Sequence, residues 1–210
     1  MRFILILAFS LLNFNAAQAQ RFNNFSLELG GGVHIPFSPK DETELSNFIS
    51  FKQFQLSGRY MFNEKIGLKG QYAYFDFQDK DNDLNKAKVH KVTLEAVYNL
   101  GELFNFSYSL QDRFTLLLHG GAGISILLPK EGLVYERIGN LQLGITPMIK
   151  ITDKIAFYLD ATPIMNLKQH YSYGGDLLDK DYKSQSGFLL TANAGFVFYL
   201  GDYRHHADWY

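Results

Sequence analysis

The sequence predicts an all-β fold: an eight-stranded antiparallel up-and-down transmembrane β-barrel. Three observations predict it. Hydrophobicity alternates with a period of two in eight segments, the links between these segments are alternately short and long, and the apolar residues are too many to fit inside a barrel of this size. Average composition hides the pattern, because 47% hydrophobic and 20% charged residues in a 210-residue chain are also typical of a soluble domain.

The first 19 residues have the features of an export signal. Arg2 precedes an apolar stretch over residues 3–12, and Ala17-Gln18-Ala19 is a small-x-small cleavage pattern. A retained membrane anchor is the alternative, but this stretch is too short to span about 30 Å of hydrocarbon. We therefore expect a cleaved signal peptide over 1–19, a barrel over 20–200 and a periplasmic tail over 201–210.

The first four alternating segments cover residues 25–37, 53–62, 66–74 and 91–99. In the second, Phe54 and Leu56 alternate with Gln55 and Ser57. Such alternation is typical of strands whose two faces meet different surroundings. Phe75 blurs the far end of the third segment.

The last four segments cover residues 113–126, 140–150, 155–168 and 188–200, and their alternation is more regular. Pro147 and Pro163 lie on the apolar faces of the sixth and seventh segments. Because proline lacks a ladder donor, each of them predicts a β-bulge.

The links add a second regularity. Residues 63–65 and 152–154 form short links, whereas the long polar links cover 38–47, 79–88, 129–137 and 169–186. Short periplasmic turns and long external loops are expected of a transmembrane barrel. The link 101–112 should be short but is not, and we interpret it as strand extension plus an interfacial segment.

The apolar face must point outward, because an eight-stranded barrel has no room inside for about forty apolar side chains. The polar face then lines the lumen, where we expect salt bridges and hydrogen bonds to plug the barrel. A gated narrow pore built from the same residues is the alternative. The predicted lumen network comprises three acids and three bases: Glu28, Glu95, Asp160, Arg59, Lys69 and Lys150.

Three stretches carry a resemblance to a known family. They are the glycine-rich run at 119–123, the end of the last segment at 193–200, and the residues 199–201 and 206–210 around the end of the barrel. The chain resembles the OmpA-type outer-membrane barrels, without their C-terminal peptidoglycan-binding domain. The resemblance implies an assembly signal recognised by the outer-membrane assembly machinery, formed by Asn193, Gly195, Phe198 and Leu200. Cell-wall anchoring is not implied, because the residues that bind diaminopimelate are missing.

Other chemistry has weak signals. Residues 79–83 match the first ligand positions of a calcium loop, but Leu84 stands where glycine is required. A lipid A-modifying enzyme would need a serine and a histidine close together; His119 and Ser125 share a strand face, but that face is the lumen and about 20 Å of strand separates them. We regard His205 and His206 as a solvated tail pair rather than a metal site. The sequence therefore predicts no catalytic, metal or cofactor site, and the chain has no cysteine.

The expected location is the outer membrane of a Gram-negative bacterium. A formal net charge of −1 gives no electrostatic reason to bind nucleic acid. The expected partners are outer-membrane lipids, lipopolysaccharide and the assembly machinery, with loop-mediated contacts to proteins or surfaces, and we expect a monomer. We expect a structural, envelope-integrity or surface-interaction role. A narrow porin-like channel is the alternative, and a lipid A-modifying enzyme is a third hypothesis.

Overall fold

The computed structural model describes residues 22–39, 44–82, 84–104, 110, 112–129 and 135–209. The predicted signal peptide lies outside the described residues. Eight antiparallel strands pair in sequence order, and β1 closes the sheet by pairing with β8. The predicted eight-stranded antiparallel barrel is confirmed. Its strands are β1 Phe25–Ser38, β2 Ser50–Met61, β3 Ile66–Gln78, β4 Lys86–Asn99, β5 Phe114–Leu128, β6 Glu136–Thr152, β7 Ile155–Gln169 and β8 Gln185–Leu200.

Alternate residues of each strand point outward and inward. On β2, Leu56 is 44% exposed and Gln55 is 3% exposed; on β6, Leu143 is 57% exposed and Gln142 is 6% exposed. The apolar side chains thus cover the outside of the barrel and the polar ones fill its middle. This is the reverse of a soluble barrel, and it is the orientation that the volume argument predicts.

The interior has three layers rather than one polar lumen. The two ends of the barrel are closed by apolar clusters, and the polar side chains lie between them. The cluster at one end contains Phe22, Met61, Val97, Leu117, Met148, Ala156, Tyr158, Val197, Tyr199, Ala207 and Trp209. The cluster at the other end contains Phe48, Ala73, Phe75, Phe77, Ala87, Val89, Leu127, Ile138, Ile164, Tyr173 and Leu189.

The two ends also differ in their links. At the end that we call the turn side, residues 62–65 join β2 to β3 and residues 153–154 join β6 to β7. At the loop side, the links 39–49, 79–85, 129–135 and 170–184 are longer. The described residues include no helix that is long and apolar enough to cross a membrane.

The link after β4 corrects the expected strand extension. The strand ends at Asn99, and a single helical turn, α1, covers Leu100–Leu103. The Asn99 side chain accepts a hydrogen bond from the backbone N–H of Gly101 at 3.0 Å. This local bond competes with the strand ladder and turns the chain out of the sheet. Residues 105–109, part of the predicted interfacial segment, lie outside the described residues.

The bulges predicted at Pro147 and Pro163 are wrong. Both prolines lie on the seam between β6 and β7, where ladder pairs are missing beside each of them, but the register is the same on both sides of the gaps. Pro147 still pairs in register with Leu116, and Pro163 with Leu190. Each proline leaves one seam with fewer hydrogen bonds while its other neighbour holds the strand in place.

Candidate functional site

The central layer of the barrel is an ion-paired network around one histidine. His119 on β5 lies between two carboxylates: its Nδ1 is 2.5 Å from Glu95 Oε2 and its Nε2 is 2.8 Å from Asp160 Oδ2. Lys69 is directly opposite Glu95 in the sheet, with its Nζ 3.4 Å from Glu95 Oε2. All four side chains are buried. A neutral imidazole donates from one nitrogen only, so both contacts form only if an additional proton is held within this group.

Threonine hydroxyls complete the hydrogen bonding of the two carboxylates. Thr93 donates to Glu95 at 2.9 Å, while Thr146 and Thr162 each donate to Asp160 at 2.8 Å. These contacts satisfy acceptor positions that would otherwise be costly to bury.

A glycine makes room for the histidine ring. A Cβ placed on Gly144 would lie 2.3 Å from Thr162 Oγ1 and 2.5 Å from His119 Nε2. A side chain here would collide with the network at its most crowded point. The inward-facing glycines of the sequence therefore reflect the crowding of the lumen.

A second ion-paired group lies toward the turn side. The Arg59 guanidinium contacts Glu28 Oε1 at 2.5 Å and Asp208 Oδ2 at 2.6 Å, and all three side chains are almost completely buried. Asp208 comes from the segment after β8, which folds back into the mouth of the barrel. Burial of these charges is tolerable because each acid shares the same cation.

The structure brings five of the six predicted network residues into the buried interior. The exception is Lys150, which lies at the turn-side rim and reaches Asp112 at 3.2 Å and Asp153 at 3.4 Å. These partners are 62% and 39% exposed. Lys150 is close to the end of β6, and its side chain extends to the rim rather than into the central layer.

Sequence reasoning missed two members of the buried groups, His119 and Asp208. His119 occupies an inward position in the alternating pattern, which is a usable signal, but the predicted lumen network contains only acids, lysines and an arginine. Asp208 had no such signal, because nothing in the local sequence shows that the tail returns to the barrel. The tail pair is also corrected: His205 is exposed, but His206 is buried against the Tyr199 ring, with centroids 4.3 Å apart.

The loop side is closed by aromatic rings. Tyr173, from the link between β7 and β8, stacks on Phe77 with ring centroids 4.5 Å apart. Its hydroxyl donates to the backbone carbonyl of Ser38 at 3.2 Å, and burial raises the pKa of this phenol. A cavity of about 10 Å³ remains between Phe75, Lys91 and the Tyr173 ring, which is about the space of one water molecule.

The acidic side chains of the possible calcium loop accept hydrogen bonds from the protein itself. Asp79 accepts hydrogen bonds from the Asp81 backbone N–H at 3.0 Å, the Asn47 amide at 3.1 Å and the Asn85 amide at 3.3 Å. These bonds, chiefly the one from Asp81, lower the pKa of Asp79. Asp83 lies outside the described residues. In the part of the chain that the structure describes, no three histidine or acidic side chains are placed to hold a metal ion.

The residues of the possible catalytic pair serve other contacts. The Ser125 hydroxyl accepts a hydrogen bond from the Asn140 amide at 2.7 Å, far along β5 from the carboxylates that hold His119. The predicted assembly signal lies on β8. Asn193 and Gly195 take inward positions, and Phe198 and Leu200 are exposed on the outer face.

Comparison with solved structures adds to the description of the fold. Neisserial surface protein A matches with a TM-score of 0.57 and 12% identity, covering 84% of this chain and 97% of that one. The chain has the fold of the small eight-stranded outer-membrane barrels.

Two further structures agree. A major outer membrane protein from Thermus thermophilus matches with a TM-score of 0.56 and 10% identity, over 86% of this chain and 100% of that one. OprG from Pseudomonas aeruginosa matches with a TM-score of 0.55 and 13% identity, over 88% and 99%. No protein-family model and no curated protein matches the sequence. At these identities the likeness concerns the fold alone.

Proposed function

We propose that this protein is a non-enzymatic outer-membrane barrel of a Gram-negative bacterium, with a structural or envelope-integrity role and with long loops available for surface interactions. The observation that carries the proposal is the filled lumen inside an apolar outer face. An apolar belt around a closed barrel is suited to lipid, because a closed sheet has no free edge and pairs its backbone groups between strands rather than with water.

The interior supports a structural role over transport. Side chains fill it at three levels: the tail and Trp209 at the turn side, the Glu95–His119–Asp160 group in the middle, and Tyr173 at the loop side. A buried, hydrogen-bonded charge network rigidifies a barrel more readily than it conducts ions.

The proposed orientation places the turn side in the periplasm and the loop side outside the cell. In this orientation the outer face contacts outer-membrane lipids and lipopolysaccharide, the end of β8 carries the signal for the assembly machinery, and the loops meet proteins or surfaces. The barrel has no need of a second copy to close its sheet, which favours a monomer.

Cell fractionation tests the location. The mature protein should sediment with the outer membrane and need detergent to stay monodisperse, because water cannot solvate the apolar belt. A monodisperse, folded protein in detergent-free buffer would overturn the membrane assignment.

Planar-bilayer recording tests the closed lumen. The wild-type barrel should show no unit conductance, and E95A, which removes the centre of the network, is the sensitised variant. Steady unit conductance from the wild type that E95A alters would support the narrow channel instead. Lipid A from overexpressing cells should be unchanged in mass, and a new deacylated or acylated species would support the enzyme hypothesis.

A further inference from the structure

The segment after β8 folds into the turn-side mouth instead of leaving the barrel. At Gly201 the backbone adopts a φ of 129°, which reverses the chain immediately after the strand. A Cβ at this position would overlap the Asn23 side chain, so the reversal packs directly against the residues that precede β1. The turn thereby returns residues 203–209 to the barrel.

Two kinds of contact hold the outer part of the segment. The Asn23 amide donates to the Tyr203 carbonyl at 2.6 Å, and the backbone of Asn23 pairs with both neighbours of His206. On the opposite side, Lys154 donates to the Tyr203 carbonyl at 3.0 Å, and Arg204 contacts Asp153 at 3.0 Å. Lys154 and Arg204 are exposed, so their contacts contribute modestly, whereas Asn23 is buried and is the firmer of the two attachments.

The inner part of the segment is buried. His206, Ala207, Asp208 and Trp209 pack into the apolar cluster at the turn side. When His206 is neutral, Asp208 is the one charged side chain among residues 206–209. Its carboxylate is paired with Arg59. The segment therefore fills the mouth through apolar packing and one ion pair, as a bound peptide fills a pocket.

We propose that residues 201–209 form a displaceable latch, which closes the turn-side mouth while His206 is neutral and leaves it, with the barrel intact, when His206 gains a proton. The latch is a property of the barrel itself and does not depend on the location of the protein in the cell. The geometry supports it because, among the residues that the structure describes, the β-pairing of this segment is the single bridge between His206 and Asn23, whereas β1 and β8 pair with each other from Phe25–Leu200 to Ser38–Phe188.

His206 is placed where a proton is costly. Its Nδ1 accepts the backbone N–H of Asp208 at 3.2 Å, and a proton on that nitrogen would remove the acceptor. The charged groups around it are Asp208, which would favour an imidazolium, and Arg59 and Lys154, which oppose it. The Tyr199 hydroxyl and Glu28 also lie in this cluster, the latter already engaged by Arg59.

Burial is the largest effect on His206 and holds its pKa at about 4 in the docked latch, below the ordinary value of 6.5. A released latch exposes the ring to water and restores that ordinary value. Docking is therefore at full strength above pH 6.5 and weakens as the pH falls toward 4. Proton linkage between these two values makes the docked form about 30-fold less favoured at pH 5 than at pH 7.5.

Release would uncover Arg59 and the apolar turn-side cluster, but it would leave the central group in place. Release of the latch therefore changes which groups are exposed at the turn side, but it does not open the lumen to ions. In the released form, the mouth exposes the Arg59 guanidinium inside an apolar rim.

Hydrogen exchange measures the docked population directly. The Ala207 N–H donates to the Asn23 carbonyl at 3.0 Å. Its protection factor is the ratio of the intrinsic to the observed exchange rate, so the intrinsic dependence of exchange on pH cancels. In detergent micelles this factor should fall about 30-fold between pH 7.5 and 5. Trp209, the one tryptophan in the sequence, gives a second readout, because its emission should shift to longer wavelength as it enters water.

Two variants distinguish His206 from general acid effects. His206→Asn keeps an acceptor near the position of Nδ1 but does not titrate, so its protection factor should change less than threefold over the same range. His205→Asn alters the exposed neighbour and should behave as the wild type. Far-ultraviolet circular dichroism should report an intact barrel throughout.

Three results would overturn the latch. The first is a Trp209 emission already typical of water at pH 7.5. The second is an Ala207 protection factor that does not change down to pH 5, or that changes equally in H206N. The third is loss of the strand signal at the same pH, which would mean that the barrel and the segment unfold together.

Discussion

Removing Arg59 is the most severe test of the buried charges. This guanidinium holds Glu28 at 2.5 Å and Asp208 at 2.6 Å, and none of the three side chains is more than 3% exposed. Arg59→Met keeps most of the volume but leaves two carboxylates buried without a cation. Breaking a buried pair from one side costs about 3–5 kcal/mol, so we expect the free energy of unfolding to fall by at least that amount.

Urea unfolding in detergent micelles measures the loss. With a slope of about 2 kcal/mol per M, typical of proteins of this size, the midpoint should move down by about 2 M. Lys150→Met is the matched control, because it removes a cation whose partners Asp112 and Asp153 are exposed. Such pairs contribute about 1 kcal/mol or less, and the control midpoint should move by under about 0.5 M.

Removing the charges together should restore stability. In the triple variant E28Q/R59M/D208N no carboxylate is left unpaired, and a neutralised cluster often costs little. Most of the lost midpoint should return. If R59M unfolds at the wild-type midpoint, or if the triple variant is no more stable than R59M, the ion pairs do not hold the turn-side end together as described.

Three further predictions concern packing and the rim. A Cβ on Gly121 would overlap the Leu94 carbonyl oxygen, so Gly121→Ala should force β4 and β5 apart and lower the free energy of unfolding by about 3 kcal/mol or more. Gly70→Ala is the control, because a Cβ there meets nothing within 4 Å, and its urea midpoint should equal that of the wild type. Tyr173→Ala removes the ring that closes the loop side and should cost about 3–5 kcal/mol, with faster proteolysis of the link 170–184 than in Tyr173→Phe. Burial acts to raise the pKa of Asp153, but its bonds to Arg204 and Lys150 outweigh this and lower it; the stabilisation is present at neutral pH and is lost in acid, so the pH dependence of the urea midpoint should flatten slightly in Asp153→Asn.

The strands were predictable because their two faces meet opposite surroundings. Each inward residue, such as Gln55, has an outward neighbour, such as Leu56, and this contrast is written locally in the chain. The same contrast identified five buried charges. It did not separate the layers of the interior, since inward apolar residues such as Val97 and Leu117 are scattered among inward polar ones along the strands.

Local rules misled where a neighbouring strand decides the outcome. A proline predicts a bulge when its own strand is considered alone, but Pro147 keeps its register because β5 holds the strand on the other side. Likewise, the link after β4 was expected to extend the strand, and the Asn99 side chain turns it instead. Both outcomes depend on competing hydrogen bonds that composition does not reveal.

The sequence by itself determined the barrel, its strand number and the outward direction of its apolar face, because a period of two and a volume limit leave little choice. Only the tertiary structure decided which charges meet. Closure of the sheet brings His119 between acids from β4 and β7, and the reversal at Gly201 carries Asp208 to Arg59, a partner 149 residues away along the chain. Such contacts depend on register and on chain return, and these are set by the packing of the whole barrel.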